Sequence, residues 1–138
     1  MLSNTHFSLA VHVLTALAFT EGKVMGSTDL AKSMGTNPSF LRGLMSQLRN
    51  AGLVETKLGK GGGSTLARPA DQITLLDVYR VTELKPALTA HTCDGSSPCP
   101  VARNMEKMLE DLNRKLENTV TKELEKTTLA DLLGHYIR

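Results

Sequence analysis

The stretch from Thr28 to Pro69 most constrains what this chain can fold into. Two short amphipathic segments are separated there by Gly35 and Thr36, and two strand-like runs follow, joined by a glycine-rich link. This order predicts a helix, a tight turn, a second helix and a β-hairpin. It is the order of elements in a winged helix-turn-helix, whose second helix lies in the major groove of DNA.

The second of these helices is expected to run from Pro38 to about Asn50, with Thr36 or Asn37 as its N-cap. Apolar residues at three- and four-residue spacing predict its buried stripe: Phe40, Leu41, Leu44, Met45 and Leu48. The exposed side of its first turns is polar, as expected of a helix that reaches base edges. The preceding helix is expected over 29–34, with Ser27 or Thr28 as its cap.

The glycine-rich link joins predicted strands at 53–57 and 64–67. Four glycines fall in the five positions from Gly59 to Gly63, which would also suit a phosphate-binding loop. That alternative lacks a Gly-Lys-Ser/Thr sequence at the required spacing and a long βαβ unit around it. Glycine permits close backbone approach, and Lys57 and Lys60 supply charge, so we predict a wing that lies against DNA.

Charge is unevenly distributed in this chain of 138 residues, whose length fits one domain and whose net charge is only +2. Between positions 36 and 68 there is a single acid, Glu55, and five bases: Arg42, Arg49, Lys57, Lys60 and Arg68. A local basic excess on a helix and wing fits a surface that faces phosphates. An ordinary solvated face is the alternative for such a cluster taken alone.

The N-terminal segment predicts one amphipathic helix over about 7–19, capped by Asn4 or Thr5. His6 and His12 lie on or beside it and are interpreted as surface or packing residues. The segment has no basic n-region and no clear cleavage site, and no apolar run reaches the ~20 residues that span a bilayer. We therefore expect a cytoplasmic protein without a membrane segment.

The C-terminal half predicts a fourth helix over about 75–83, with Thr74 and Asp77 forming a capping box. A long helix is expected over about 100–126, and Thr127 or Thr128 would cap a last short helix. The long helix has one apolar stripe: Val101, Met105, Met108, Leu109, Leu112, Leu116, Val120 and Leu124. At about 1.5 Å per residue it is roughly 38 Å long, too long for so small a body to cover.

Pairing with a second copy is the simplest way to cover this stripe, and packing on the chain's own first helix is the alternative. We therefore predict a mainly α fold: a winged helix-turn-helix with a two-stranded wing and a long C-terminal dimerisation helix. Residues 1–72 would read DNA. Residues 73–138 would hold a linker helix, a cysteine-containing sensor loop and the dimerisation helix, packed with the first part as one unit.

Three segments together resemble the Rrf2 family of bacterial winged-helix regulators: 48–54, the wing region 59–69, and the Ile-Thr-Leu segment 73–78. The resemblance covers nearly the whole chain. It implies a homodimer on an approximately palindromic double-stranded DNA operator, acting usually as a repressor, with a small-molecule or redox signal read near the dimer helix.

The resemblance also implies which residues face DNA. Base reading falls to Asn37, Ser39, Arg42 and Gly43, and the wing residues Gly59 to Gly61 enter the minor groove. The expected DNA contacts as a whole are Thr28, Asn37, Ser39, Arg42, Gly43, Arg49, Lys57, Gly59, Lys60 and Gly61. The family often has Arg just before the wing glycines, whereas this chain has Leu58, so we expect the wing mainly to grip the backbone.

Cluster-binding members of the family carry three cysteines in the loop before the long helix, whereas this chain has Cys93 and Cys99, with Met105 at the third position. A [2Fe–2S] cluster needs four protein ligands, mostly thiolates. We therefore expect no cofactor, with a cluster on Cys93, Cys99 and His12 plus an unidentified ligand as an alternative. Without a cluster, the two cysteines are either a redox-sensing thiol pair or simply structural.

Two other functions are alternatives to a DNA-binding regulator. A winged helix can serve as a protein-interaction module without DNA specificity, with the long helix as an assembly strut. An enzyme is not expected, because no catalytic set emerges, and the nearby His91 and Cys93 lie in a Pro/Gly/Ser loop that is a poor scaffold for a nucleophile pair.

Overall fold

The computed structural model describes residues 5–20, 23–82, 86, 88–89, 91 and 95–137. Its helices are α1 His6–Phe19, α2 Ser27–Met34, α3 Pro38–Asn50, α4 Leu75–Thr82, α5 Pro100–Glu125 and α6 Leu129–Tyr136. Strands β1 (Val54–Lys57) and β2 (Gly63–Leu66) pair antiparallel, and a 3-10 turn spans Ala70–Gln72. The predicted mainly α fold with a two-stranded wing is confirmed.

The core lies where α1, α2 and α3 meet β1, α4 and α6. Its fully buried large side chains are all aliphatic: Val13, Leu14, Leu30, Leu41, Leu44, Leu48, Leu53, Val54, Ile73, Val78 and Leu129. Burying each such side chain favours folding by roughly 1.5–3 kcal/mol. The helix-turn-helix is therefore held on a rigid aliphatic body.

The last helix, α6, returns to the N-terminal half of the chain. Its first residue, Leu129, is fully buried, and the Leu129 N–H donates to the carbonyl of Ile73 at 3.0 Å. The N–H of Leu75 donates in turn to the carbonyl of Thr127 at 2.9 Å. α6 also packs along α1. The division of roles between 1–72 and 73–138 stays a prediction, made on segments that share this core.

Most predicted helix caps are confirmed. The Asn37 side chain accepts from Ser39 N at 2.7 Å, and capping boxes form at Thr74–Asp77 and Thr128–Asp131. The predicted cap of α2 is wrong.

Gly26 occupies the N-cap of α2, with no side-chain capping hydrogen bond, and Ser27 is already helical. The reason is a β-bridge between Met25 and Ser64, which fixes the direction of the chain just before Gly26 and starts the helix early. Likewise, Thr5 stands at the N-cap of α1 but its side chain makes no capping hydrogen bond.

The long helix α5 is confirmed, and none of its 26 residues is buried in the single chain. It contacts α4, where the Tyr79 hydroxyl donates to Glu117 Oε2 at 2.8 Å. Its apolar stripe is largely open: Val101, Met108, Leu112 and Leu116 are exposed. Within the described residues, no helix has both the length and the apolarity needed to cross a membrane.

Candidate nucleic-acid interface

The two sides of α3 differ sharply in chemistry. Leu41, Leu44, Met45 and Leu48 are buried against the core. The other side is exposed and polar: Ser39, Arg42, Gly43, Gln47 and Arg49. A helix fixed by one apolar stripe, with a polar face open to solvent, is the arrangement by which helix-turn-helix proteins present side chains to a major groove.

Phe40 does not belong to the buried stripe, so that part of the prediction is wrong. Its side chain is 43% exposed, and its ring lies 5.2 Å from that of His6 on α1. The reason is helical geometry, because Phe40 lies about 100° around the helix from Leu41. The contact with His6 still ties the start of α3 to α1.

Both exposed arginines of α3 are steadied by a hydroxyl one turn earlier. Arg42 Nη2 donates to Ser39 Oγ at 3.2 Å, and Arg49 Nη2 donates to Ser46 Oγ at 3.4 Å. A guanidinium has five N–H donors, so each arginine keeps several for an external acceptor. These internal bonds reduce the side-chain freedom that would be lost on binding.

Asn37 has a structural task at the start of α3. Its Oδ1 accepts from the N–H groups of Ser39 and Phe40 at 2.7 and 3.3 Å. While Oδ1 caps the helix, the side-chain NH2 is the group with which Asn37 can meet DNA. Base reading by Asn37, Ser39, Arg42 and Gly43 therefore stays a prediction, with Asn37 limited to a donor role.

Gly43 lies on the exposed face of α3, and neither its backbone conformation nor a contact within the chain requires glycine there. A Cβ added there would meet no atom within 4 Å, and its φ is not positive. Glycine in a helix interior is less favourable than alanine by about 0.8–1.0 kcal/mol. Close approach of an outside backbone would explain the residue, since glycine is the one side chain that leaves that space free.

The hairpin that follows α3 forms the wing. Glu55, Thr56 and Lys57 of β1 are exposed, as is the tip from Leu58 to Gly61. The N–H of Gly62 donates to the carbonyl of Gly59 at 3.0 Å and closes the tip. A Cβ at Gly62 would overlap the carbonyl oxygen of Lys57, so the tip demands glycine there. Lys57 and Lys60 therefore lie at a narrow hairpin tip in which most residues lack a side chain.

Arg68 differs from the other bases of this stretch because it is engaged inside the chain. Its Nε donates to the carbonyl of Gly52 at 3.4 Å, and its Nη1 donates to that of Gln72 at 3.5 Å and lies 3.8 Å from Asp77 Oδ2. Arg68 therefore links the base of the wing to the start of α4. Sequence alone counted it only as a positive charge, and no periodic signal reveals such a link.

Thr28 lies exposed in the first turn of α2, next to Asp29. The DNA contact predicted for Thr28 stays a prediction.

His12 is exposed on α1, where it lines a cavity together with Phe19, Leu133 and Ile137.

Cys99 is exposed at the N-cap of α5, and its N–H donates to Ser97 Oγ at 3.1 Å. The backbone N–H groups of Ala102, and next Val101, lower the pKa of the Cys99 thiol. Cys93 lies outside the described residues, so neither a disulfide nor the alternative metal set with Cys99 and His12 is tested. Over the described ranges, no group of three or more His, Cys, Asp or Glu residues is placed to hold a metal ion.

A capped recognition-type helix, a glycine-tipped wing and a long amphipathic helix define a winged-helix transcriptional regulator. Comparison with known proteins agrees. A family model described as Rrf2, iron-dependent transcriptional regulator, matches residues 3–135. The chain therefore belongs to the Rrf2 family of transcriptional regulators, and its family and relatives are regulators rather than enzymes.

Individual relatives match over nearly the full chain. Protein aau3 of Rhizobium meliloti is 35% identical over 124 residues, covering 90% of this chain and 79% of that protein. The HTH-type transcriptional regulator IscR of Cereibacter sphaeroides is 29% identical over 133 residues, covering 96% and 85%. The structure of CymR, described as the global cysteine regulator of Bacillus subtilis, superposes with a TM-score of 0.70 at 26% identity, covering 96% and 95%.

Proposed function

We propose that this regulator is a sequence-specific DNA-binding repressor that works as a homodimer on an approximately palindromic operator in the cytoplasm. The observation that carries the proposal is the exposed face of α3, which carries Arg42, Arg49 and an open Gly43. The surface offers oriented donors and room for close approach, and these features suit a DNA groove.

In this mechanism Arg42 reads a base edge from the front of α3, and Arg49, Lys57 and Lys60 contact phosphates. A guanidinium pairs best with guanine, whose O6 and N7 both accept in the major groove. Phosphate contacts fix the register of the protein but carry no sequence information of their own. Asn37 contributes a donor while its Oδ1 keeps α3 capped.

Dimerisation is supported by the open stripe of α5. Met108, Leu112 and Leu116 follow one another at helical spacing and are exposed in the single chain. A long apolar stripe on a helix favours a partner helix, and the symmetric partner available to every copy is a second copy. Two α3 helices related by such a two-fold axis would read half-sites about 34–36 Å apart, which gives the operator its palindromic form.

A signal read near Cys93 and Cys99 would reach DNA through α5. Cys99 directly precedes the first turn of α5. Leu88 is bonded to Asn113 in the middle of that helix: the Leu88 N–H donates to Asn113 Oδ1 at 2.9 Å, and Asn113 Nδ2 donates to the Leu88 carbonyl at 2.8 Å. Leu88 and Cys99, the two ends of the segment 88–99, are therefore both attached to α5. A thiol reaction within this segment would shift α5 and the spacing of the two α3 helices. Cys93→Ser and Cys99→Ser proteins that bind DNA identically under oxidant and reductant would rule out this thiol version.

The deciding experiment is selection from a pool of random-sequence DNA duplexes, followed by affinity measurements on the enriched site at several salt concentrations. We expect a palindromic site whose binding weakens steeply with salt, by a slope of about −0.9 per neutralised phosphate. A protein-interaction module would enrich no sequence and show little salt dependence. That outcome would replace the regulator mechanism with the alternative.

A further inference from the structure

Leu58 is the most exposed large apolar side chain among the described residues, with 88% of its surface open. Isolated exposed apolar residues are common, so exposure alone indicates no role. Its position is what distinguishes it. The α5 residues that are also exposed form a continuous stripe for a partner helix, whereas Leu58 stands alone at the end of the hairpin.

The hairpin tip leaves Leu58 as its only apolar side chain. Lys57 precedes it, and Gly59, Lys60 and Gly61 follow. Gly61 has φ +77°, the positive value that the third position of a type II turn requires, and the Gly62 N–H closes that turn on Gly59. Glycines at the turn keep the tip narrow, so it presents one apolar side chain between two cations.

Resting on the DNA-binding function proposed above, we propose that Leu58 enters the minor groove as an apolar wedge and makes affinity depend on how easily the base step beneath it unstacks. The minor groove is about 6 Å wide and flanked by phosphates, which the ammonium groups of Lys57 and Lys60 can contact. Leucine between them meets sugars and base edges. Proteins insert such apolar side chains between base steps in this groove and kink the duplex.

The wedge would select sequence through deformability. Pyrimidine–purine steps, TA and CA/TG, unstack easily, whereas A-tracts are stiff and have a narrow, strongly negative groove. A cationic side chain gains from that narrow groove, and a neutral leucine does not. The wing would therefore read DNA, rather than only grip its backbone, and would place a flexible step at a fixed distance from the bases read by α3.

The test is the same random-duplex selection, run in parallel with wild type, Leu58→Ala, Leu58→Arg and, as a matched control, Arg42→Ala. Wild type is expected to enrich TA or CA/TG at the wing position. Leu58→Ala should lose that preference, keep the α3-read bases, and bind the wild-type site about tenfold more weakly, the effect of one mismatched position. Leu58→Arg should shift the wing position towards A-tracts. Arg42→Ala should do the reverse of Leu58→Ala: lose an α3-read base and keep the wing preference.

A second measurement reports unstacking directly. With 2-aminopurine placed in the flexible step, wild type should raise its fluorescence on binding and Leu58→Ala should not. Identical enrichment at the wing position by wild type and Leu58→Ala would overturn the wedge while leaving the DNA-binding function intact. So would a Leu58→Ala effect confined to self-association, which would make the tip a protein contact. Failure of wild type to enrich any sequence would remove the DNA-binding function itself.

Discussion

The helices α3 and α5 are both amphipathic, but only α3 has its apolar side covered within the chain. α3 buries its leucines in the chain's own core and exposes arginines, serine and glycine. α5 buries nothing and exposes Met108, Leu112 and Leu116. Free arginine donors can bind a charged partner, whereas an exposed apolar stripe is covered best by another apolar surface. The proposed function therefore assigns two different kinds of association to one small body.

The largest effect is expected from a charge placed in the apolar stripe of α5. Leu112 is 47% exposed in the single chain, so Leu112→Glu should fold as a monomer. In a dimer the same carboxylate would be buried without a partner, and we expect the dimer dissociation constant to rise by about 100-fold or more. Sedimentation velocity over a range of concentrations measures it.

Asn118→Glu is the matched control, because it makes the same charge change at an exposed, polar position of α5. It should leave the dimer constant nearly unchanged. Equal behaviour of Leu112→Glu and Asn118→Glu would mean that the stripe does not pair, and that α5 has another use.

The second prediction distinguishes base recognition by Arg42 from phosphate binding by Arg49. Arg42→Ala should lose about 1–3 kcal/mol of discrimination at one base position. Arg49→Ala, three turns from the start of the helix, should instead weaken binding to all sequences alike and reduce the salt slope by about one. Affinities for the selected duplex and a scrambled one, at two salt concentrations, distinguish the two roles. Both variants losing affinity for both duplexes equally would deny Arg42 a reading role.

Gly43→Ala is expected to separate stability from function. The free energy of unfolding should rise by about 0.5–1 kcal/mol, because alanine favours a helix and has open space at this site. DNA affinity should fall by about tenfold if a backbone approaches there, comparable with one mismatched position.

Gly134→Ala in α6 is the control, since its Cβ also meets nothing within 4 Å. It should give a similar stability gain without the loss of affinity, and equal DNA affinities for both variants would refute close approach at Gly43.

Local chemistry explains which features were predictable. α3 was placed correctly because an Asn-Pro start and a leucine period of three and four are both local signals. The α2 cap was missed because a bridge to Ser64, far along the chain, sets the entry to that helix. The sequence shows Arg68 only as one more charge in a basic stretch, yet the partners of Arg68 are the carbonyls of Gly52 and Gln72. Contacts between distant segments leave no periodic pattern, so they become visible only in three dimensions.

The smallest expected effect concerns how the two helices begin. Asn37 and Cys99 are both N-caps followed by proline, but the Asn37 amide is always neutral, whereas the Cys99 thiol can ionise. Because nearby N–H groups lower the pKa of Cys99, its thiolate forms at lower pH than that of free cysteine.

In a Cys93→Ser background, alkylation by iodoacetamide should therefore reach half its maximal rate at lower pH in native than in urea-unfolded protein. Coincident pH profiles would show that the α5 N-terminus does not act on the thiol. Cys99→Ser itself should change DNA affinity under reducing conditions by less than about twofold, since an exposed serine replaces a side chain of similar size and surface substitutions have little effect. A distinct native profile with that small affinity change would mean that α5, unlike α3, begins at a group whose charge can respond to its surroundings without touching DNA.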